Sequence, residues 1–558
     1  MIATDGEECA MHRTTARTGS DAPRPRRGRA ARALAAALAV SAGLALAACA
    51  PATGWPGSQP NAEGPTAGGD AAAELGAAID ALTSAPRFAT STWSFLAVDR
   101  ATGETVLDRN SAAPLVPGSI MKSFTTGTAL EVLGADSRVT TTAQGLGALT
   151  DGVLDRGLAL VGAGDFSFGL RDSADGSLWV GGFDHNEANT ALFPAELPPG
   201  DPLAGLRDLA EQLVAAGVTR IAGDVVVDNR LFETQTDWPD GRIDAIWVNE
   251  NLIDAILTPG PVGSAPAVEL RPGLRLLELV NEASTVPGDG VDILVEDLGE
   301  GRVRVSGTIG AEAGSTVRVA QLADPVDFAR RAFLEVLDDA GIVVDGTADT
   351  NPVELLPAAY PGAPLASRDS ATTAERVRVV LKISYNRGAD LFGCLIAVAR
   401  GSTDCEDGLA TILDTITEVG APAGSVFVFD PAGSVDYDRT SAAGQVGFLL
   451  GAAERPWGEA FHAALPVSGV DGSLASLGAG SASDGMIQAK TGSRIVGDPA
   501  TGGLVYLAQS YAGYMTTASG RDLVFAIIVN SIRVDDFDGL FPVMSDIQQL
   551  PLTLQRLG

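Results

Sequence analysis

Ser119 and Lys122 are the first residues in this chain whose types and spacing could do chemistry. Positions i and i+3 of a helix share one face, so a hydroxyl and an amine there can meet. An amine shielded from water loses its proton more readily, and a neutral amine can activate a neighbouring hydroxyl as a nucleophile. The chemistry would be acyl transfer through a serine ester. A second hydroxyl and a carboxamide stand at Ser384 and Asn386, on either side of Tyr385, and a second amine stands in Lys490-Thr491-Gly492-Ser493. Lysine is rare here. Among 38 basic residues only Lys122, Lys382 and Lys490 are lysines, and all three fall in or beside these segments. A guanidinium stays protonated at any working pH, so arginine cannot serve where a base is needed. The distribution predicts three lysines kept for catalytic segments.

Several elements must position these groups. Pro117-Gly118-Ser119 opens a helix running towards Leu133, with Ser119 near its start, where backbone N–H groups and the positive end of the helix dipole favour an oxyanion. Residues 75–85 read as a helix with Leu75, Ile79 and Leu82 on one face. Strands are predicted at 92–99 and 104–108, joined by the Asp99–Gly103 turn. Gly503–Thr516 and Leu523–Asn530 are apolar strands joined at Ser519-Gly520, and a last helix spans about 538–556. This predicts one antiparallel sheet built from both ends of the chain. Between about 145 and 365 the composition changes. Short β-branched runs (Ile221–Asp228, Val291–Glu296, Val303–Ile309) alternate with helical stretches at Leu203–Ala216 and Val326–Ala340. This reads as a β-rich insertion of one or two small domains. Gly492 lets a substrate backbone approach the edge of its strand.

The chain has 558 residues, 46% hydrophobic and 19% charged, enough for a sizeable core in two to four domains. Its formal charge of -32 argues against a nucleic-acid partner and against general attraction to anionic membranes. Membrane association would need a specific anchor. Arg24, Arg26, Arg27, Arg29 and Arg32 precede an apolar run from Ala33 to Ala48, too short to span comfortably and laid out as an export signal. The run ends Leu46-Ala47-Ala48-Cys49, which resembles the bacterial lipoprotein signal box. That resemblance implies cleavage before Cys49, lipid on its thiol, and anchorage to the outer face of the cytoplasmic membrane. Each buried methylene of such a chain adds about 0.8 kcal/mol of membrane affinity. An ordinary signal peptide is the alternative. Met11 is an alternative start that would remove Cys9, and Pro51–Gly69 reads as a flexible tether. In an oxidising compartment a disulfide between Cys394 and Cys405 is the default reading, and two buried thiols are the alternative. No Cys/His metal spacing or phosphate-cradling loop occurs, so neither metal nor cofactor is expected. His185, in Phe183–Asn189, reads as solvated loop surface. His462 reads as helix surface or a filled gap, and Val534–Asp538 as a solvated turn. Oligomeric state leaves no trace in the sequence.

Ser-x-x-Lys, Ser-x-Asn and Lys-Thr-Gly, in this order, form the motif set of penicillin-binding proteins and class A β-lactamases. Lys122 and Asn386 are 264 positions apart, too many for a compact β-lactamase, and Ser384 and Lys490 are 106 apart. Further segments are Gly164-Asp165, Gly223–Asp228, Leu465–Gly472 and Tyr511–Arg521. With these the chain resembles the D-alanyl-D-alanine carboxypeptidase/endopeptidases of low-molecular-mass class C penicillin-binding proteins, over roughly residues 75–555. The resemblance implies an α+β fold. An antiparallel sheet flanked by helices, with a helical subdomain, would form a transpeptidase-like domain from residues 73–145 and 366–558. Residues 146–365 would be the insertion, 1–48 the signal peptide and 49–72 the anchor site and linker.

It also implies roles. Ser119 would be the acylated nucleophile and Lys122 its base. Ser384 and Lys490 would relay a proton to the leaving D-alanine. Asn386 would hold the peptide, and Thr491 with Ser493 would bind the terminal carboxylate beside Gly492. The N–H groups of Ser119 and Ser493 would form the oxyanion hole. Peptidoglycan stem peptides would be substrates and β-lactams inhibitors. In the family an acidic residue of the insertion helps select the peptide side chain; Asp228, Glu233 and Asp237 are the candidates. Tyr385 stands where the family has a small polar residue and is expected to point away from the nucleophile and alter the rim. Asp430-Pro-Ala-Gly-Ser-Val435 departs from the family's Asp-Gly-Ser-Gly-Leu-Ser. Two rivals remain: a β-lactamase or esterase on the same scaffold, and a non-catalytic wall-binding lipoprotein. The first is disfavoured because no Glu-x-x-Leu-Asn segment follows the second motif to activate a deacylating water.

Overall fold

The computed structural model describes residues 69–182, 184–190 and 195–558. The export signal, Cys49 and the tether to residue 68 lie outside the described residues.

Strands from both chain ends form one antiparallel sheet. Its order is Ile487–Gly497, Leu504–Thr516, Asp522–Asn530, Thr92–Asp99, Thr105–Arg109, and Ile532–Val534 pairs with the start of Leu504–Thr516. Successive strand residues point to opposite faces, and both faces here are covered. Phe95, Ala97, Phe525, Ile527 and Val529 point to one side, where the terminal helices Gly69–Thr83 and Leu540–Leu557 pack together. Val524, Ala526, Ile528, Ala512 and Tyr514 point to the other. Burial on both faces is why Leu523–Val529 is an unbroken apolar run rather than an alternating one. Truncating Phe525 to alanine would cost about 3–5 kcal/mol on the scale of buried aromatic deletions.

The second face carries helices Met121–Leu133, Thr373–Lys382, Asn386–Ala399, Asp407–Val419 and Ala442–Ala452. Residues 121–130 of the Met121–Leu133 helix are all buried, which is why it shows little amphipathic pattern. Cys394 and Cys405 are joined by a disulfide, Cα atoms 4.1 Å apart, at the edge of this helical layer.

A separate core draws only on residues between 143 and 366. Its strands form small sheets of mixed direction; Gly157–Val161 runs parallel to Asp224–Asp228, and Glu278–Val286 parallel to Arg302–Gly310. Helices Ala204–Ala215 and Pro325–Asp339 pack on them. Strands Thr140–Gly145 and Ala366–Asp369 pair antiparallel, so the chain enters and leaves this region side by side. No helix among the described residues is long and apolar enough to cross a membrane.

Candidate active site

Ser119 lies in a single 3-10 turn, Gly118–Ile120, that runs straight into the Met121–Leu133 helix. The turn presses against the strand bearing Lys490. A Cβ on Gly118 would fall 3.0 Å from the Ser493 backbone N, and one on Gly492 would fall 2.9 Å from that of Ser119. Gly118 also has φ +58, a region costly for residues with a side chain. Two glycines therefore bring the N–H groups of Ser119 and Ser493 together. Ser510 Oγ ties the contact by donating to Pro117 O at 2.5 Å.

Lys122 is fully buried, and its ammonium makes three contacts. Nζ donates to Ser119 Oγ at 2.9 Å, to Asn386 Oδ1 at 2.6 Å and to Ala432 O at 2.7 Å. Burial pulls its pKa below the ordinary lysine value, outweighing the carboxylates of Asp240, Asp430, Asp390 and Glu187. Ala432 belongs to the segment that departs from the family pattern. Asp430 rebuilds that loop by accepting the backbone N–H groups of Ala432, Gly433, Ser434 and Val435.

Ser384 sits between helices Thr373–Lys382 and Asn386–Ala399, at φ +60. Lys490 Nζ donates to Ser384 Oγ at 2.8 Å and to Thr491 O at 2.7 Å. Burial, and then the charge of Lys122, hold Lys490 well below the ordinary lysine value. The hydroxyl of Thr491 donates to Ser473 Oγ and that of exposed Ser493 to Gln509 Oε1. Both line the strand beside Ser119. Seven positions singled out by their types, Ser119, Lys122, Ser384, Asn386, Lys490, Thr491 and Ser493, thus meet at one place.

Other expectations need correction. Lys382 is not part of this constellation; its ammonium binds both carboxylate oxygens of Asp471 at 2.7 Å and Leu465 O, pinning the 465–471 segment. Tyr385 points away from the nucleophile, but into the core rather than onto a rim. It is 2% exposed and stands edge-on to Phe166. His185 is not solvated surface; it is fully buried among carboxylates. His462 is half-buried against the Tyr514 ring.

The acidic residues of the insertion that reach the site are Asp240 and Glu187, not Asp228, Glu233 or Asp237. Asp228 is taken up by Arg230 and Tyr360, Asp237 is exposed, and Glu233 lines a separate open cavity of about 710 Å³. Asn386 Nδ2 donates to Asp240 Oδ1 at 2.7 Å, whereas Asp240 Oδ2 has no hydrogen-bond partner among the described residues. Asp240 and Glu187 line a pocket of about 90 Å³ beside Asn386. Burial and the neighbouring Asp240 raise the Glu187 pKa. One turn beyond Asn386, the buried Asp390 has neither carboxylate oxygen bonded among the described residues; burial, then Asp240 and Asp430, raise its pKa well above the usual carboxylate range. Asp184, His185 and Glu250 bring three ligand-type atoms within 4.8 Å; Arg171 binds one oxygen of each carboxylate, and the Asn186 amide donates to the two oxygens that face His185.

A serine at a helix start with a buried lysine one turn on, pressed against the edge strand of an antiparallel sheet covered by helices, defines a serine acyl-transfer enzyme of the β-lactamase-like class. Comparison with known proteins gives the family. The family described as D-Ala-D-Ala carboxypeptidase 3 (S13) matches residues 75–545, and the chain belongs to it. It is accordingly a serine peptidase of the D-Ala-D-Ala carboxypeptidase group. A D-alanyl-D-alanine carboxypeptidase of Actinomadura sp. (strain R39) is 27% identical over 483 residues, covering 82% of this chain and 81% of that one. The fold is similar to penicillin binding protein 4 of Haemophilus influenzae, with TM-score 0.65 and 19% identity over 86% of this chain and 99% of that one. A structure of the same protein complexed with a β-lactam gives TM-score 0.62 at 18% identity, with the same coverage.

Proposed function

We propose that the enzyme hydrolyses the terminal D-alanyl-D-alanine bond of peptidoglycan stem peptides through an ester on Ser119. Neutral Lys122 takes the hydroxyl proton as Ser119 Oγ attacks the carbonyl carbon. The oxyanion rests on the N–H groups of Ser119 and Ser493, a device worth about 3–4 kcal/mol per donor. The C–N bond breaks as Ser384, backed by Lys490, delivers a proton to the departing amine. Water then cleaves the ester and returns the hydroxyl to Ser119. Thr491 and Ser493 receive the terminal carboxylate of a carboxypeptidase substrate. An endopeptidase substrate, a crosslinked stem, uses the same acyl transfer. The observation that carries this reading is Lys122 Nζ at 2.9 Å from Ser119 Oγ with Asn386 on the same nitrogen.

Asp240 and Glu187 favour a stem peptide with an amine on its side chain, because both carboxyl-bearing residues line the pocket next to the peptide-holding Asn386. β-Lactams acylate the same serine. The Leu46–Cys49 box supports export and lipid anchoring at Cys49 on the outer face of the cytoplasmic membrane. The test is incubation of purified protein with stem peptides ending in D-Ala-D-Ala, with and without penicillin. D-Alanine release that penicillin abolishes is expected. No release, or rapid turnover of the penicillin, would contradict the reading.

A further inference from the structure

Behind the second motif lies a buried cluster of charges that no step above uses. His185 is its centre. Nδ1 is 2.9 Å from Asp254 Oδ1, Nε2 is 3.2 Å from Glu250 Oε2, and Asp184 Oδ1 is 3.7 Å from Nε2. Arg171 spans Glu250 and Asp184, and Asn186 donates to the same two carboxylates. Arg271 stands 3.8 Å from Asp254 Oδ2, and Asn249 donates to that oxygen at 3.2 Å. The side chains of Arg171, Asp184, His185, Glu250 and Asp254 are at most 1% exposed.

Geometry fixes the protonation state. An ionised carboxylate only accepts hydrogen bonds, so a ring nitrogen facing one must donate. Both nitrogens of His185 face carboxylates, so both carry a proton. The charges then balance: Asp184, Glu250 and Asp254 against Arg171, Arg271 and the imidazolium. A neutral imidazole would set a lone pair against a carboxylate and leave an uncompensated buried anion.

The cluster grips backbone that reaches the active site. Asn249, Glu250 and Asn251 have φ values of 50, 54 and 54, three successive left-handed residues that persist only where their surroundings impose them. Glu250 O accepts Arg387 Nη1 at 2.7 Å, and that guanidinium packs on the Trp247 ring at 4.9 Å. Arg387 directly follows Asn386. On the other side, His185-Asn186 leads into Glu187, whose far end is held by Asn189 pairing with Val319.

We propose that His185, as an imidazolium, is a positioning residue for acyl transfer: it locks the Glu250 turn that seats Arg387, and Arg387 sets where the Asn386 carboxamide stands beside Lys122. This rests on reading Asn386 as part of the site.

The test combines a spectrum with a charge-balanced rescue. The chain has three histidines, so 15N-histidine labelling can resolve His185, with His462→Gln assigning one other signal. At pH 8 the wild-type protein should show one imidazole with both nitrogens protonated. His185→Gln should slow penicillin acylation and D-alanine release by about tenfold or more, since the cation is lost and three anions remain. His185→Gln with Asp254→Asn removes one charge of each sign and should recover to within about threefold of wild type. If the single variant does not fold, the spectrum and the double variant decide. A neutral His185 at pH 8, a transition metal bound one per chain and lost in His185→Gln, a wild-type rate in the single variant, or no recovery in the double would overturn the proposal. A wild-type protein that penicillin fails to acylate would instead overturn the parent reading.

Discussion

Lys490 Nζ donates to Ser384 Oγ across 2.8 Å, although 106 positions separate them. Burial and the charge of Lys122 hold Lys490 well below the ordinary lysine value, so its amine can pass a proton through Ser384 and take it back. Lys490→Arg cannot, because a guanidinium keeps its protons. It is expected to lower D-alanine release by about 10²–10⁴-fold, with Ser384→Ala comparably impaired. Single-turnover kinetics on a stem peptide measure both.

Lys122 must be neutral to accept the Ser119 proton. Its pKa lies below the ordinary 10.5, because burial outweighs the surrounding carboxylates. The rate of penicillin acylation should therefore fall as pH is lowered through that depressed value, with a midpoint below 10.5. Lys122→Arg should be slow at every pH. A wild-type midpoint at or above the ordinary lysine value would contradict the assignment.

Gly118 serves both a left-handed turn and a close approach. Gly118→Ala places a Cβ 3.0 Å from Ser493 N at φ +58. The strain alone costs about 1–2 kcal/mol, and the forced separation of the two oxyanion N–H groups should slow acylation as well. Chemical denaturation and acylation rates read the two effects separately.

The elements that form these contacts were legible in sequence because their signals are local. The 92–99 strand alternates, the 504–516 and 522–530 strands are apolar runs joined by a turn, and the Ser119 helix begins at Pro117-Gly118. What was not legible is convergence. Asp240 sits three residues after Asp237 in the same turn-forming stretch, and only the folding of the insertion onto the second motif tells the two apart. The Trp238-Pro239-Asp240-Gly241 turn was the one available hint. His185 lies among polar neighbours, which predicts solvent; its burial depends on Glu250 and Asp254, more than sixty positions away. Lys382 shows the opposite error: rarity pointed to chemistry, and its partner Asp471 makes it a clamp.

Asp240→Asn should weaken binding of stem peptides with a side-chain amine by about 1.5–3 kcal/mol, the range of a hydrogen bond to a charged group. The loss should fall on KM, and peptides with an acylated side chain should be nearly unaffected. Steady-state kinetics on the matched pair of peptides check it.

His185 ties stability to pH. Burial alone would push it down, but Asp254 and Asp184 raise it to about 10, above the 6.5 of a free histidine. A group raised on folding contributes fully below its unfolded pKa and loses that contribution as pH climbs to the folded one. Urea unfolding should therefore show stability declining between about pH 6.5 and 10 in wild type and a shallower decline in His185→Gln with Asp254→Asn.

Intact-mass analysis with peptide mapping after penicillin treatment addresses the nucleophile itself. One penicilloyl group per chain, on Ser119, and none in Ser119→Ala, is the predicted result. An unmodified Ser119 in folded protein, or an adduct on another residue, would contradict it.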